Sequence, residues 1–321
     1  MVNSVEIKEV GPREGAQFEG INDPLHWKTH EKVRLVYALA RAGIKTIEVT
    51  SFVSPRAVPQ MADAENVSSM LQLIPDVTFN AVYLDRRGLA RALATQKYKI
   101  TGRILLSASD AFAMANVRRT LDQDLDEQRY LINEYHAHAT PVTEGVVMAA
   151  FGCNYEGAIS IQRVLERCRL LMDLARSAGD SLQDLCLADT MGWADPEQIR
   201  RTVDTIWQRW PHLRLSLHLH DTRGMGMANV YAGLLAGVQK YETAIGGLGG
   251  CPFSGVAAGN VPTEDVAFLC EKMGIKTGLH LGRLVACVKL AEDMVGHKLP
   301  GRISHVLVPS SDDFQAVKTG A

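Results

Sequence analysis

His218-Leu219-His220 closes the apolar, β-rich run LRLSLHL. On a strand, residues two apart project to the same face, so both imidazoles can turn to one side and grip one metal ion. The plainer alternative is a pair of satisfied polar side chains. The chain carries its own control in His136-Ala137-His138, which has the same spacing inside a helical pattern. There, two residues apart means roughly opposite sides, so that pair does not chelate and reads as a solvated face. Asp221-Thr222, directly after the first pair, suits either a helix N-cap or a support for the imidazoles.

A second signal is GGLGGCPFSG at 246–255. Its glycines let a backbone approach a ligand closely or let a loop move, and Cys251 within it differs from an inert core thiol. A phosphate-cradling loop and a plain turn remain equal alternatives to catalysis for this segment. Carboxylates mark further positions. Glu48 and Asp189 each end an apolar run, where an acid is either paired for structure or part of a site. Arg13 is the natural partner of Glu48. The other five cysteines lie in apolar surroundings and read as core, Cys153 less clearly because it follows a strand. Walker-type loops, Ser-nucleophile elbows and HExxH are absent.

These residues need elements to position them. β-rich runs recur at 5–10, 46–50, 77–82, 100–106, 145–151, 184–189, 213–219 and 242–247. Helical patterns such as 30–43, 159–179 and 196–210 lie between them, with Asp195-Pro196 as a cap followed by a first-turn proline. Eight strand–helix steps fit a (β/α)8 TIM barrel better than a doubly wound sheet, and no G-x-G-x-x-G follows the first strand. In a barrel the ends of the strands meet at one mouth. Arg13, Glu14, Gln17, Glu48, Ser51, Ser107, Ser109, Asp110, Asp189, His218, His220, Cys251 and Asn260 all follow strand ends. The expected organisation is a catalytic barrel over 1–277 with a helical extension over 278–321, packed on the barrel or in an interface, whose final residues are loose.

Composition narrows the function class. The 321 residues are 46% hydrophobic and 22% charged, enough for a sizeable core. With 34 Lys+Arg against 36 Asp+Glu, a net charge of −2 gives no field to hold nucleic acid or an anionic membrane. No apolar run approaches a membrane span, and MVNSVEIKEVGPREG reads as neither a signal nor a transit peptide. Six scattered cysteines without a C-x-x-C pair suit a reducing cytoplasm. A cytoplasmic enzyme is expected.

VEIKEVGPREGAQ, IEVTSFVSPRAVPQMADAE, FGCNYEG, HLHDTRGMGMAN and GGLGGCPFSGVAAGNVPTED together resemble the 3-hydroxy-3-methylglutaryl-CoA (HMG-CoA) lyase family of TIM-barrel metallolyases. The resemblance runs essentially end to end. It implies an acyl-CoA substrate and a divalent metal held by Glu14, His218, His220 and Asn260. It further implies that Arg13 polarises the substrate carbonyl and that Cys251 is the catalytic thiol on a mobile loop. Glu48 would support the metal ligands, Asp189 would move protons, Glu264 would be a further acidic contributor, and Gln17 and Ser51 would surround the substrate. A homo-oligomer, dimer or higher, is expected. Two imidazoles, a carboxylate and an amide oxygen with open positions favour Mg²⁺ or Mn²⁺ over closed tetrahedral zinc.

The chain departs from the family pattern at several mouth positions. Glu14 replaces aspartate, Ala115 replaces a lysine, Arg223 replaces an aromatic, Met225 replaces a polar residue, and Asn154 replaces a proline. The expected activity is retro-Claisen cleavage to acetyl-CoA and a 3-oxo acid. A sister lyase for another 3-hydroxy-acyl-CoA and a non-catalytic CoA-ester-binding barrel are the alternatives.

Overall fold

The computed structural model describes residues 2–19, 27–250 and 259–318. They form two compact units, one built mainly from residues 100–241 and the other from 3–99 together with the chain after 242.

The first unit carries β4 (Gly102–Ser107), β5 (Val142–Met148), the small hairpin β6 (Gly152–Cys153) and β7 (Gly157–Ala158), β8 (Asp184–Ala188) and β9 (Arg214–His218). Its main sheet runs β9-β8-β5-β4, every pairing parallel. Helices such as Leu121–Ala137, Ile161–Ser177 and Pro196–Arg209 connect the strands. Each begins where a side chain takes up orphan amides: Thr120 accepts from Gln123 N, Ser160 from Arg163 N and Asp195 from Gln198 N.

The second unit carries β1 (Glu6–Glu9), β2 (Thr46–Ser51), β3 (Thr78–Val82) and β10 (Lys240–Thr243), in the order β3-β2-β1-β10, although Lys240 and Tyr241 fall on the first unit's side of the division. The β1–β2 and β2–β3 pairings are parallel. The later helices Leu281–Val295 and Ser311–Lys318 belong to this unit, and Arg283 Nη1 donates to Arg41 O at 3.0 Å. Eight parallel-barrel strands alternating with helices make this an α/β protein of the TIM-barrel class.

Interior strand residues such as Ile104, Leu106, Val147, Leu185, Leu217, Ile47 and Phe79 are almost wholly buried. Each contributes on the order of 1.5–3 kcal/mol, against about 0–1 kcal/mol for a surface ion pair. The apolar strand bodies therefore fix the frame, and the polar residues at their ends are carried on it. No helix among the described residues is long and apolar enough to cross a membrane.

Three elements differ from the sequence expectation. GPREGAQFE, expected only to follow the first strand, is a helix, Gly11–Glu19, with proline tolerated in its first turn. The fifth strand lies earlier than 145–151, because Ala149 turns to φ 50 and its amide donates to Thr190 Oγ1 at 2.9 Å. The eighth run stops at Thr243, and Ile245–Gly247 is a 3-10 turn. Glu9 and Glu264 accept the amides of Ile245 and Gly246, at 2.9 Å each, which draws the chain out of the ladder.

Candidate active site

In the second unit, helix Gly11–Glu19 starts directly after β1 and presents Arg13 and Glu14 from its first turn. Arg13 Nε and Nη2 reach Glu48 Oε1 at 2.7 and 2.6 Å, and Nη2 also reaches Glu14 Oε1 at 2.8 Å. Lys8 Nζ pairs with the other Glu48 oxygen at 2.8 Å and with Glu242 at 2.9 Å. Burial works against the Arg13 charge, but Glu14 and Glu48 beside it override that and raise its pKa further. Arg13 is thus a fixed cation. Glu48, 2% exposed, is the hub of a buried network in which loss of any partner strands a charge.

Glu14 Oε2 accepts from Asn260 Nδ2 at 2.5 Å, and the same amide nitrogen donates to Leu248 O at 3.0 Å. These two acceptors fix the amide orientation. Asn260 Oδ1 is left buried with no hydrogen-bond partner. An orphan oxygen of this kind suits a cation. The backbone at Gly249 makes room for the pair: it has φ +88, and a Cβ there would lie 2.7 Å from Glu14 Cβ and 3.0 Å from Asn260 Nδ2.

In the first unit, His218 and His220 are buried at the end of β9 and just past it, with their Nε2 atoms 3.0 Å apart. The rings are tilted at 43° to each other with their Nε2 atoms converging, so one small ion can receive both nitrogens. Asp189 stands next to them on the neighbouring strand end, its amide donating to His218 O at 2.8 Å. Its carboxylate accepts from Trp193 N at 2.7 Å and from Ala194 N at 3.1 Å. Burial pushes the Asp189 pKa up to about 7, against those amides and the charge of Arg223. A carboxylate poised there exchanges protons near neutral pH. Asp221 accepts from Gly226 N at 2.6 Å and so opens the following helix.

The remaining expected positions divide. Glu264 is fully buried in the second unit, with Oε2 on Gly246 N; burial, with Asp265 and Glu9 nearby, pushes its pKa up to about 8. Ser51 is buried at the end of β2, and Gln17 is half-buried on helix Gly11–Glu19. Ser107 and Ser109 are used locally: Ser107 Oγ donates to Ser109 O, and Ser109 caps helix Asp110–Val117. Asp110 pairs with Arg167 at 2.7 Å. Cys153 is buried and donates to Ser109 Oγ. His136 pairs with Asp180, and His138 ends the helix. Cys251 lies outside the described residues. Sequence reasoning missed Lys8, Glu9 and Glu242. Charged residues within short β-rich runs were the available signal, but the Lys8–Glu242 and Glu9–Ile245 contacts each span more than 230 residues.

Each unit thus carries buried polar side chains at its strand ends, Arg13 with Glu48 in one and the histidine pair with Asp189 in the other, on a fold of the α/β-barrel class. The HMGL-like family profile matches residues 4–291. Hydroxymethylglutaryl-CoA lyase YngG of Bacillus subtilis is 33% identical over 93% of this chain and 95% of its own. The (R)-citramalyl-CoA lyase of Chloroflexus aurantiacus is 35% identical over 94% of each. The crystal structure of the Bacillus subtilis HMG-CoA lyase superposes with a TM-score of 0.85 at 32% identity, covering 95% of this chain and 99% of that one. The chain belongs to the HMGL-like family and is an enzyme that cleaves a carbon–carbon bond of a CoA ester.

Proposed function

We propose that the chain cleaves a 3-hydroxy-3-methylglutaryl-CoA-like thioester to acetyl-CoA and a 3-oxo acid such as acetoacetate. The observation that carries this reading is the convergence of the His218 and His220 Nε2 atoms, 3.0 Å apart, beside a carboxylate whose pKa is about 7. His218, His220, Glu14 and Asn260 are the proposed metal ligands, and their nitrogen and oxygen donors suit Mg²⁺ or Mn²⁺. When bound, the ion supplies Lewis-acid polarisation of the substrate hydroxyl.

The chain's own residues perform the proton and charge steps. Asp189 takes the proton of the C3 hydroxyl as general base. The C2–C3 bond then breaks, its electron pair passing to the thioester carbonyl as an enolate. Arg13, held by Glu48, stabilises the enolate oxygen. Cys251 returns a proton to the enolate carbon, completing acetyl-CoA. Gln17 and Ser51 bind around the substrate, and Glu264 braces the turn before the glycine-rich segment. The protein is proposed to act in the cytoplasm as a homo-oligomer, with 1–277 as its catalytic domain and 278–321 as an extension. Arg223 favours a second reading, a sister lyase whose substrate carries a different C3 substituent.

The test is acetyl-CoA release from a panel of 3-hydroxy-acyl-CoA esters with Mg²⁺ or Mn²⁺. His218→Ala and His220→Ala are expected to abolish turnover while circular dichroism stays native. Tight binding without turnover, or full activity after dialysis against chelator, would overturn the lyase reading.

A further inference from the structure

Several arginines of the described residues are matched to carboxylates: Arg91 to Glu65, Arg167 to Asp110, Arg200 to Glu197 and Arg214 to Asp184. Arg223 is different. It follows the histidine pair by three residues and is exposed, yet its guanidinium is tied in place entirely by neutral groups. Nη1 donates to Met191 O at 2.7 Å and Gly192 O at 3.2 Å, and Nη2 donates to Asn154 Oδ1 at 3.1 Å. Its Cζ lies over the Trp193 ring, 4.6 Å from the centroid. Asn154 Oδ1 also accepts from Trp193 Nε1 at 2.9 Å, so the amide locks the cation and its platform together. Gly192, at φ +66, permits the turn, since a Cβ there would lie 2.8 Å from Thr222 Cβ.

A guanidinium has five N–H donors. Three are spent on these oxygens, which leaves Nε–H and one Nη2–H without a partner among the described residues. The positive charge likewise has no carboxylate within ion-pair distance among them. Long side chains lose rotamer entropy when fixed, and here that loss is incurred before any ligand arrives. A fixed cation with two donors left over and no carboxylate bound directly to it is suited to a pair of anionic oxygens. The same loop supplies the Trp193 and Ala194 amides to Asp189, so an anion held at Arg223 is held at the mouth where that carboxylate stands.

We infer that Arg223, seated on Trp193 and locked by Asn154, is a specificity-determining residue that takes an anionic oxygen pair of the acyl-CoA substrate. This rests on the acyl-CoA reading above. Two parts of such a substrate carry that chemistry, a carboxylate on the C3 substituent and a phosphate of CoA.

The experiment measures Kd by calorimetry for uncleavable 3-deoxy esters on wild type, Arg223→Met, Arg223→Gln and Arg223→Lys. Three probes are used: the CoA ester with a carboxylate substituent, its neutral methyl ester, and the charged acyl group on N-acetylcysteamine, which has no phosphate. Arg223→Met is expected to weaken the charged CoA ester on the order of 10- to 100-fold, with Lys keeping part of the affinity. The loss disappears on the methyl ester if the carboxylate is the group held, and on the phosphate-free ester if a CoA phosphate is. Unchanged Kd for all probes overturns the assignment, and so does equal weakening of all three, which marks a mere loop clamp. If Arg223→Met fails to fold, Arg223→Gln carries the same comparison with donors retained and charge removed. Wild type that binds these esters but cleaves no hydroxy ester defeats the lyase reading and leaves the Arg223 result standing.

Discussion

Glutamate at position 14 is one methylene longer than the aspartate of the family pattern, and both of its oxygens are used, one on Arg13 and one on Asn260. Aspartate on the same backbone falls short of one of them. Glu14→Asp is therefore expected to lower kcat/KM on the best thioester by roughly 10- to 100-fold, the scale of a displaced catalytic contact. Steady-state kinetics checks this, and a faster variant would contradict it. Asp189 gives a second residue-level expectation. Asp189→Asn is expected to lower kcat by on the order of 10²- to 10⁴-fold with KM little changed. At this scale the sequence was informative about residue types: the imidazole pair and the partnership of Arg13 with Glu48 follow from spacing and charge. The Lys8–Glu242 contact was not legible, because nothing local in VEIKEV indicates which distant strand will stand beside it.

Strands read well where β-branched and aliphatic residues cluster, as in TIEVTS, and poorly where a side chain diverts the backbone. The end of β10 is the example. Glu9 holds the amides of Gly11 and Ile245 and the Thr263 hydroxyl, while Glu264 holds Gly246 N. Burial pushes these carboxyls up to about 7 and about 8 from an ordinary 4.5. An acid whose folded pKa is raised binds more protons folded than unfolded, so its contribution is fully present below about 4.5 and is lost as pH rises through the folded value. Wild-type Tm should thus decline between pH 5 and 8 through these two groups. Glu264→Gln, which cannot ionise, is expected to flatten that decline and to melt higher than wild type at pH 8, by roughly 2–4 °C per kcal/mol regained. Parallel Tm–pH curves for the two proteins would refute it.

For the molecule as a whole, the class of fold was legible because eight strand–helix steps in one chain allow few architectures. The division into two compact units was not, since long-range packing leaves no local mark on sequence. Thiol accessibility reports on the whole fold. Five cysteines, Cys153, Cys168, Cys186, Cys270 and Cys287, are buried, and burial raises Cys168 to about 12 and Cys270 to about 11. Native protein is expected to give at most one fast thiol with a disulfide reagent, assigned to Cys251, none in Cys251→Ser, and all six in denaturant. Two or more fast thiols in native protein would contradict the packing. The ion-pair hub around Glu48 also constrains history. Lys8, Arg13, Glu14, Glu48 and Glu242 are joined so that each neutralises a neighbour, and a single replacement strands a charge away from water. Drift in any lineage descended from this chain must therefore change them in concert or leave them alone.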